Sequence, residues 1–160
     1  MKTNTMKGID ISALSLGTVQ LGLSYGINNA DGKPSQETAN AILNAAIDGG
    51  INTLDTAGAY GDSEVVIGNW LKTVPVEKRP FIVTKAAHLE HSSLDALRKD
   101  MFQKVKTSKE RLGVEQLDML MLHHFDDYLC DKDNVLKVMH ELKDAGEVRF
   151  LGASAYSHHD

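Results

Sequence analysis

The chain has 160 residues, enough for one domain with a substantial core, and its 42% hydrophobic and 24% charged residues are typical of globular proteins. Its net charge of -5, from 17 basic and 22 acidic residues, argues against a nucleic-acid partner, because phosphate binding favours a basic face. The single cysteine, Cys130, excludes an intrachain disulfide and a cysteine-based metal site. No apolar run reaches membrane-spanning length and no secretory signal is visible, so we expect a cytoplasmic protein with no membrane partner.

Short apolar runs alternate with amphipathic segments from the start of the chain. The first strand is predicted at 14–17, and a glycine-rich stretch follows it. Ser35 is a suitable cap for a helix with its apolar residues on one face, and Gly49-Gly50 ends that helix. A strand at 51–54 and a short helix at 64–71 come next.

The second half of the chain repeats this alternation. Ser93 and Asn134 are predicted to cap two further helices, and Gly146 ends the second of them. Ser157 has the character of another cap. The three remaining strands are predicted at 81–84, 119–122 and 148–153.

The alternation is the βαβ repeat of a parallel sheet, and the strands are apolar runs, as expected when both faces of the sheet are covered. Such a pattern fits an open doubly wound sheet or a (β/α)8 barrel. A barrel typically needs about 250 residues, so length alone favours the open sheet. Gly17, Gly22 and Gly26 do not form the Gly-x-Gly-x-x-Gly pattern, so a Rossmann phosphate loop is not expected.

Four polar residues lie at or just beyond the ends of predicted strands. Asp55, Lys85 and His123 each directly follow an apolar run, and Tyr60 lies in the loop after Asp55. The carboxyl ends of parallel strands share one edge of the sheet, where active sites are built. The sequence therefore predicts that these four side chains converge.

The chemistry that this set indicates is carbonyl reduction, with Tyr60 as the proton donor. A carboxylate neutralises and holds an ammonium group, and an ammonium group lowers the pKa of a nearby phenol from about 10. Taken singly, Asp55 or Lys85 is more simply explained as a solvated residue and Tyr60 as a packing residue. Only the combination points to catalysis.

His123 and His124 form an adjacent pair, which raises the question of a metal site. Neighbouring residues of a strand point to opposite faces, so such a pair rarely binds one ion. No His-x-His pattern or carboxylate-rich partner set accompanies them. We therefore expect no metal, and one histidine that hydrogen-bonds a substrate oxygen.

The order and spacing of five short motifs resemble those of the aldo-keto reductase family, from about Leu14 to Ser157. Together the motifs are far more specific than any one alone. They are Leu16-Gly17-Thr18, the run from Gly50 to Ala57 with Tyr60-Gly61, Val83-Thr84-Lys85, the run from Leu117 to His123, and the run from Gly146 to Ser154.

The resemblance implies a (β/α)8 barrel, which overturns the preference from length, and NADPH or NADH bound without a Rossmann domain. It places the family's catalytic tetrad on Asp55, Tyr60, Lys85 and His123, with an aldehyde or ketone as the small-molecule substrate. In that scheme Tyr60 protonates the oxygen, Lys85 and Asp55 tune Tyr60, and His123 orients the carbonyl. The residues implied near the cofactor are Gly17, Thr18, Val19, Asp55, Ser154 and Ala155.

The chain departs from the family pattern in two ways. Relatives commonly have Ser-Asn where this chain has Ser154-Ala155, so one contact to the nicotinamide amide is lost or replaced. The chain also corresponds to about five of the eight β/α units, so residues 1–160 are expected to form one domain, the N-terminal part of a barrel. We expect open sheet edges to favour self-association and NADPH binding by this chain to be weak.

Two other classes of function remain open at this stage. One is a non-catalytic binding or regulatory module, or an inactive fragment, on the same scaffold. The other is a flavodoxin-like signalling domain, which is disfavoured because Gln20-Leu21-Gly22 supplies no acidic cluster after the first strand. Carbonyl turnover distinguishes the first from an oxidoreductase, and a response of NADPH absorbance or fluorescence distinguishes the second.

Overall fold

A two-stranded hairpin precedes a five-stranded parallel sheet in the computed structural model, which describes residues 1–27, 29 and 32–155. The strands are β1 (Thr3–Met6), β2 (Ile9–Ser12), β3 (Leu16–Gly17), β4 (Thr53–Asp55), β5 (Phe81–Ala86), β6 (Leu117–Leu122) and β7 (Val148–Ala153). The helices are α1 (Val19–Gly22), α2 (Gln36–Asp48), α3 (Ser63–Leu71), α4 (Leu94–Leu112), α5 (Phe125–Cys130) and α6 (Lys132–Asp144), with a 3-10 turn at Val76–Lys78.

The parallel strands lie in the order β3-β4-β5-β6-β7, so each strand pairs with the next one along the chain. A doubly wound sheet reverses its strand order at a switch point, whereas a barrel adds strands in one direction. The expectation of an open doubly wound sheet, drawn from length, is therefore wrong, and the fold is a partial (β/α) barrel. Within the described residues β3 and β7 each pair on one side only, and the self-association expected from these edges stays a prediction.

The N-terminal hairpin is an element that the sequence analysis missed. Its two-residue loop, Lys7-Gly8, has positive φ at both positions (48° and 85°), as a type I′ turn requires. Lys-Gly lacks the Asn-Gly or Asp-Gly signal by which such turns are usually recognised. The hairpin is tied to the start of β4, where Asn52 Oδ1 accepts from Ser12 N (2.8 Å).

Two of the four predicted caps are confirmed. The hydroxyl of Ser35 accepts from Thr38 N at the start of α2, and the hydroxyl of Ser93 accepts from Ala96 N at the start of α4. The prediction for Asn134 is wrong, because α6 begins two residues earlier and the Asn134 amide instead donates to Asp131 Oδ2 (2.8 Å). Ser157 lies outside the described residues.

The core lies between the sheet and the helices that cover its outer face. All six residues of β5 are buried, as the apolar run predicts for a central strand. Trp70 of α3 is almost fully buried, and its indole N–H donates to Asn44 Oδ1 on α2 (2.8 Å). Among the described residues, no helix is long and apolar enough to cross a membrane.

Gly68 of α3 packs directly against the backbone of Arg111 on α4. A Cβ added at Gly68 would lie 2.0 Å from the Arg111 carbonyl oxygen, an atom that cannot move without shifting α4. This contact fixes the distance between α3 and α4, the two helices that flank β5.

We expect Gly68→Ala to lower the free energy of unfolding by about 1–3 kcal/mol or more, because overpacking against backbone has no local relief. Gly17→Ala is the matched control, since a Cβ there meets nothing within 4 Å. Urea denaturation of both variants measures the difference. Equal losses of stability for the two variants would contradict the close packing of α3 on α4.

Candidate active site

The carboxyl ends of β3 to β7 form one edge, here called the rim, and the strand register sets which residues meet there. Gly17 pairs with Asp55 in the β3–β4 ladder, and Asp55 pairs with Val83 in the β4–β5 ladder. Lys85 lies two residues further along β5, beyond the point where β4 ends. Its side chain can therefore reach back to the end of β4.

Lys85 and Asp55 form a close ion pair at the rim. Lys85 Nζ donates to Asp55 Oδ1 (2.5 Å) and to the Thr56 carbonyl oxygen (3.0 Å). The Lys85 side chain is 7% exposed and that of Asp55 is 36% exposed. The cation is thus enclosed, while the carboxylate remains partly exposed at the rim.

Tyr60 lies beside this pair. The Lys85 ammonium nitrogen is 5.1 Å from the centroid of the Tyr60 ring. The loop that carries Tyr60 is held by backbone bonds from Gly58 N to Lys85 O (3.1 Å) and from Ser63 N to Tyr60 O (3.0 Å). The loop is therefore anchored to β5 on one side of Tyr60 and to the first turn of α3 on the other.

His123 completes the cluster from β6. Its ring meets the Tyr60 ring edge to face, with centroids 5.5 Å apart and planes at 84°. Burial, assisted by the positive charge of Lys85, lowers the pKa of His123 below its usual value, and Asp55 opposes the shift. The imidazole is therefore neutral at pH 7 and has one N–H to donate.

The expectation that His123 and His124 point to opposite faces is wrong. Their rings stack with centroids 4.9 Å apart and an interplanar angle of 8°. The alternation of a strand applies only within it, and β6 ends at Leu122, while His124 caps α5. In the part of the chain that the structure describes, no group of three or more His, Cys, Asp or Glu residues is arranged to hold a metal ion.

Apart from Asp55 on β4, the residues implied near a cofactor lie at the ends of the two edge strands of the sheet, β3 and β7. Gly17 is exposed at the end of β3 and Val19 is half-buried at the start of α1. Ser154 and Ala155 follow β7, where Ser154 N donates to Leu122 O (2.9 Å) and Ala155 is exposed. All of these residues lie on the rim that carries the tetrad.

Thr18 differs from the other residues implied near a cofactor because its side chain is buried and engaged within the protein. Its hydroxyl donates to the Asp55 carbonyl oxygen (2.8 Å). The hydroxyl of Ser63 donates to the Thr18 carbonyl oxygen (2.9 Å) and accepts from Thr56 Oγ1 (3.0 Å). Thr18 therefore supports the end of β4. Ser63 was not predicted from the sequence, where its only signal is a polar residue at the start of an apolar helix.

Comparison with known proteins identifies the class. The sequence model described as the Aldo/keto reductase family matches residues 13–160. Aldo-keto reductase YhdN of Bacillus subtilis (strain 168) is 34% identical over 155 residues, which cover 94% of this chain and 45% of that protein. The chain belongs to the aldo/keto reductase family.

Solved structures agree with this assignment. The protein PA4992 of Pseudomonas aeruginosa superposes with a TM-score of 0.77 at 28% identity, covering 92% of this chain and 57% of that one. An aldo-keto reductase from Klebsiella pneumoniae in complex with NADPH gives a TM-score of 0.74 at 25% identity, covering 100% of this chain and 52% of that one. The chain spans about half the length of the curated relatives that it matches, at 45% and 40% for two of them.

The lowered pKa of His123 predicts a loss of stability on acidification. As the pH falls, the unfolded chain takes up a proton at His123 near pH 6.5, before the folded protein does. The contribution of His123 to the free energy of unfolding is therefore fully present above pH 6.5 and is lost as the pH falls through the pKa of the folded protein. His123→Gln removes the group. The free energy of unfolding of the variant, relative to the parent, should therefore be more favourable at about pH 5 than at about pH 8.

Urea titrations of parent and variant at the two pH values provide the measurement, and the titration at the higher pH is the internal control. A difference between the two proteins that is the same at both pH values would show that folding does not disfavour the protonated imidazole.

Proposed function

We propose that the protein carrying this chain reduces an aldehyde or ketone to an alcohol with NADPH or NADH as the reductant. The observation that carries the proposal is the enclosed ammonium group of Lys85, paired with Asp55 and 5.1 Å from the Tyr60 ring. Membership of the aldo/keto reductase family supports the same chemistry.

In this proposal Tyr60 is the general acid. Its hydroxyl gives a proton to the carbonyl oxygen, and the Lys85 cation stabilises the phenolate that remains. Asp55 holds Lys85 in place and balances its charge when the site is closed to water. The neutral imidazole of His123 donates a hydrogen bond to the carbonyl oxygen and orients it beside Tyr60.

The nicotinamide end of the cofactor fits the residues present at the rim. Gly17 leaves open space where a Cβ would stand, next to Asp55, so a flat ring can approach the end of β3. The hydroxyl of Ser154 is suited to hydrogen-bond the carboxamide of the nicotinamide. Thr18, Val19 and Ala155 lie on the same rim. When bound, the reduced nicotinamide supplies the hydride that the carbonyl carbon receives.

We expect Tyr60→Phe to lose most carbonyl reduction while keeping NADPH affinity, because a general acid contributes about 10²- to 10⁴-fold and only a hydroxyl is removed. Steady-state rates and an NADPH titration on the protein from the complete reading frame provide the test. Tyr25→Phe is the matched control, since Tyr25 is 58% exposed. Retention of more than about a tenth of the turnover by Tyr60→Phe would contradict the role.

The same assay separates the enzyme from a binding module. A protein that binds NADPH and reduces none of a panel of aldehydes and ketones would instead be a non-catalytic member on this scaffold.

Ala155 provides a separate test of the cofactor site. If the asparagine that relatives commonly carry there contacts the nicotinamide amide, Ala155→Asn should tighten NADPH binding by about 0.5–1.5 kcal/mol, one hydrogen bond. Ala155→Leu is the control for added bulk without a donor. An unchanged or weaker dissociation constant for Ala155→Asn would mean that another group already occupies that position.

A further inference from the structure

Glu64 is a buried carboxylate that the proposed reaction does not use directly. Its side chain is 1% exposed, in the first turn of α3. Thr84 Oγ1 donates to one carboxylate oxygen (2.7 Å), and Arg111 Nη1 lies 3.4 Å from the other. An enclosed carboxylate is costly even when it is paired, and an apolar side chain of similar size is often as stable in such a place. Stability alone therefore does not account for a glutamate at this position.

The contacts of Glu64 lead to the groups of the proposed site. Thr84 immediately precedes Lys85 on β5. Arg111 Nη1 also lies 3.4 Å from the Gly58 carbonyl oxygen, and Gly58 N donates to Lys85 O (3.1 Å). Glu64 and Arg111 thus connect the end of β5 to the loop that carries Tyr60.

The packing of α3 on α4 makes this connection possible. Glu64 and Gly68 are four residues apart and share one face of α3. Because Gly68 has no side chain, the backbone of Arg111 lies against this face, and the guanidinium group extends back along it to Glu64. Ser63, the neighbour of Glu64, donates to the Thr18 carbonyl oxygen just after β3, while Glu64 accepts from Thr84 of β5. Adjacent residues of α3 are therefore anchored to the strands on either side of β4, the strand from which the Tyr60 loop emerges.

A second arginine–glutamate pair on α4 lacks this connection. Arg98 donates to both carboxylate oxygens of Glu141 on α6 (2.7 and 3.0 Å), and both side chains are about one-third exposed. None of the hydrogen bonds that Arg98 and Glu141 make within the described residues reaches the Tyr60 loop. Both pairs bridge two helices, but Glu64 is far more buried than Glu141. The closer match is between the two arginines, whose side chains are 38% exposed in Arg111 and 34% exposed in Arg98.

We propose that Glu64, paired with Arg111, is a positioning residue that fixes the Tyr60 loop on β5 and so sets the placement of the phenol relative to Lys85. The inference rests on the proposed function, because it assigns the pair a part in proton donation by Tyr60.

The test compares Glu64→Gln and Arg111→Met with the unsubstituted protein from the complete reading frame. A misplaced general acid affects the transition state and not the binding of reactants. We expect kcat to fall by about tenfold to a hundredfold, while KM for the carbonyl substrate and the Kd for NADPH stay within about twofold. Arg111→Lys, which keeps the positive charge, should recover most of the lost kcat.

Glu141→Gln and Arg98→Met are the controls, and melting temperatures are recorded for every variant. If Glu64→Gln fails to fold, the partly exposed Arg111 carries the test. A kcat within about twofold of the parent in Arg111→Met, or an equal loss in Arg98→Met, would overturn the inference while leaving the proposed function intact. Absence of turnover in the unsubstituted protein would overturn the proposed function, and the inference with it.

Discussion

The rest of the site depends on the enclosure of one cation, the ammonium group of Lys85. A charge taken out of water must be paired and hydrogen-bonded, and here Asp55 and the Thr56 carbonyl oxygen fill that need. Both partners come from the end of β4, so the requirement joins two neighbouring strand ends at a fixed offset. Tyr60 lies in the loop five residues after the end of β4, and its ring is therefore beside the same charge.

The convergence of these four residues could be predicted because parallel strands end at one edge. Asp55, Lys85 and His123 each follow an apolar run, and Tyr60 lies in the loop after Asp55. The fold could not be chosen from length, since an open sheet and a barrel use the same βαβ unit. Local rules also failed at element ends. His123 and His124 stack because β6 ends before them, at Leu122. Asn134 lies inside α6 because the N-cap position is occupied by Asp131, three residues earlier.

The contacts that support the site were beyond sequence reasoning because they join residues far apart in the chain. The Glu64–Arg111 pair and the Ser63–Thr18 bond both depend on how α3 packs, which no local pattern encodes. In the sequence Glu64 is only a polar residue at the start of a predicted helix, and its 1% exposure and its contacts with Thr84 and Arg111 are seen in the structure alone. Buried polar groups of this kind are recognised only from the tertiary structure, because the residue type alone does not reveal whether a polar side chain is buried.

In the proposed function a carbonyl oxygen binds at the rim between Tyr60 and His123. A crystal structure of the protein from the complete reading frame with NADP⁺ and acetate tests it most directly, since a carboxylate oxygen of acetate stands in for the carbonyl oxygen. We expect that oxygen to lie within about 3 Å of Tyr60 Oη and of a ring nitrogen of His123. Acetate bound elsewhere, with the Tyr60 hydroxyl turned away from the nicotinamide, would contradict it.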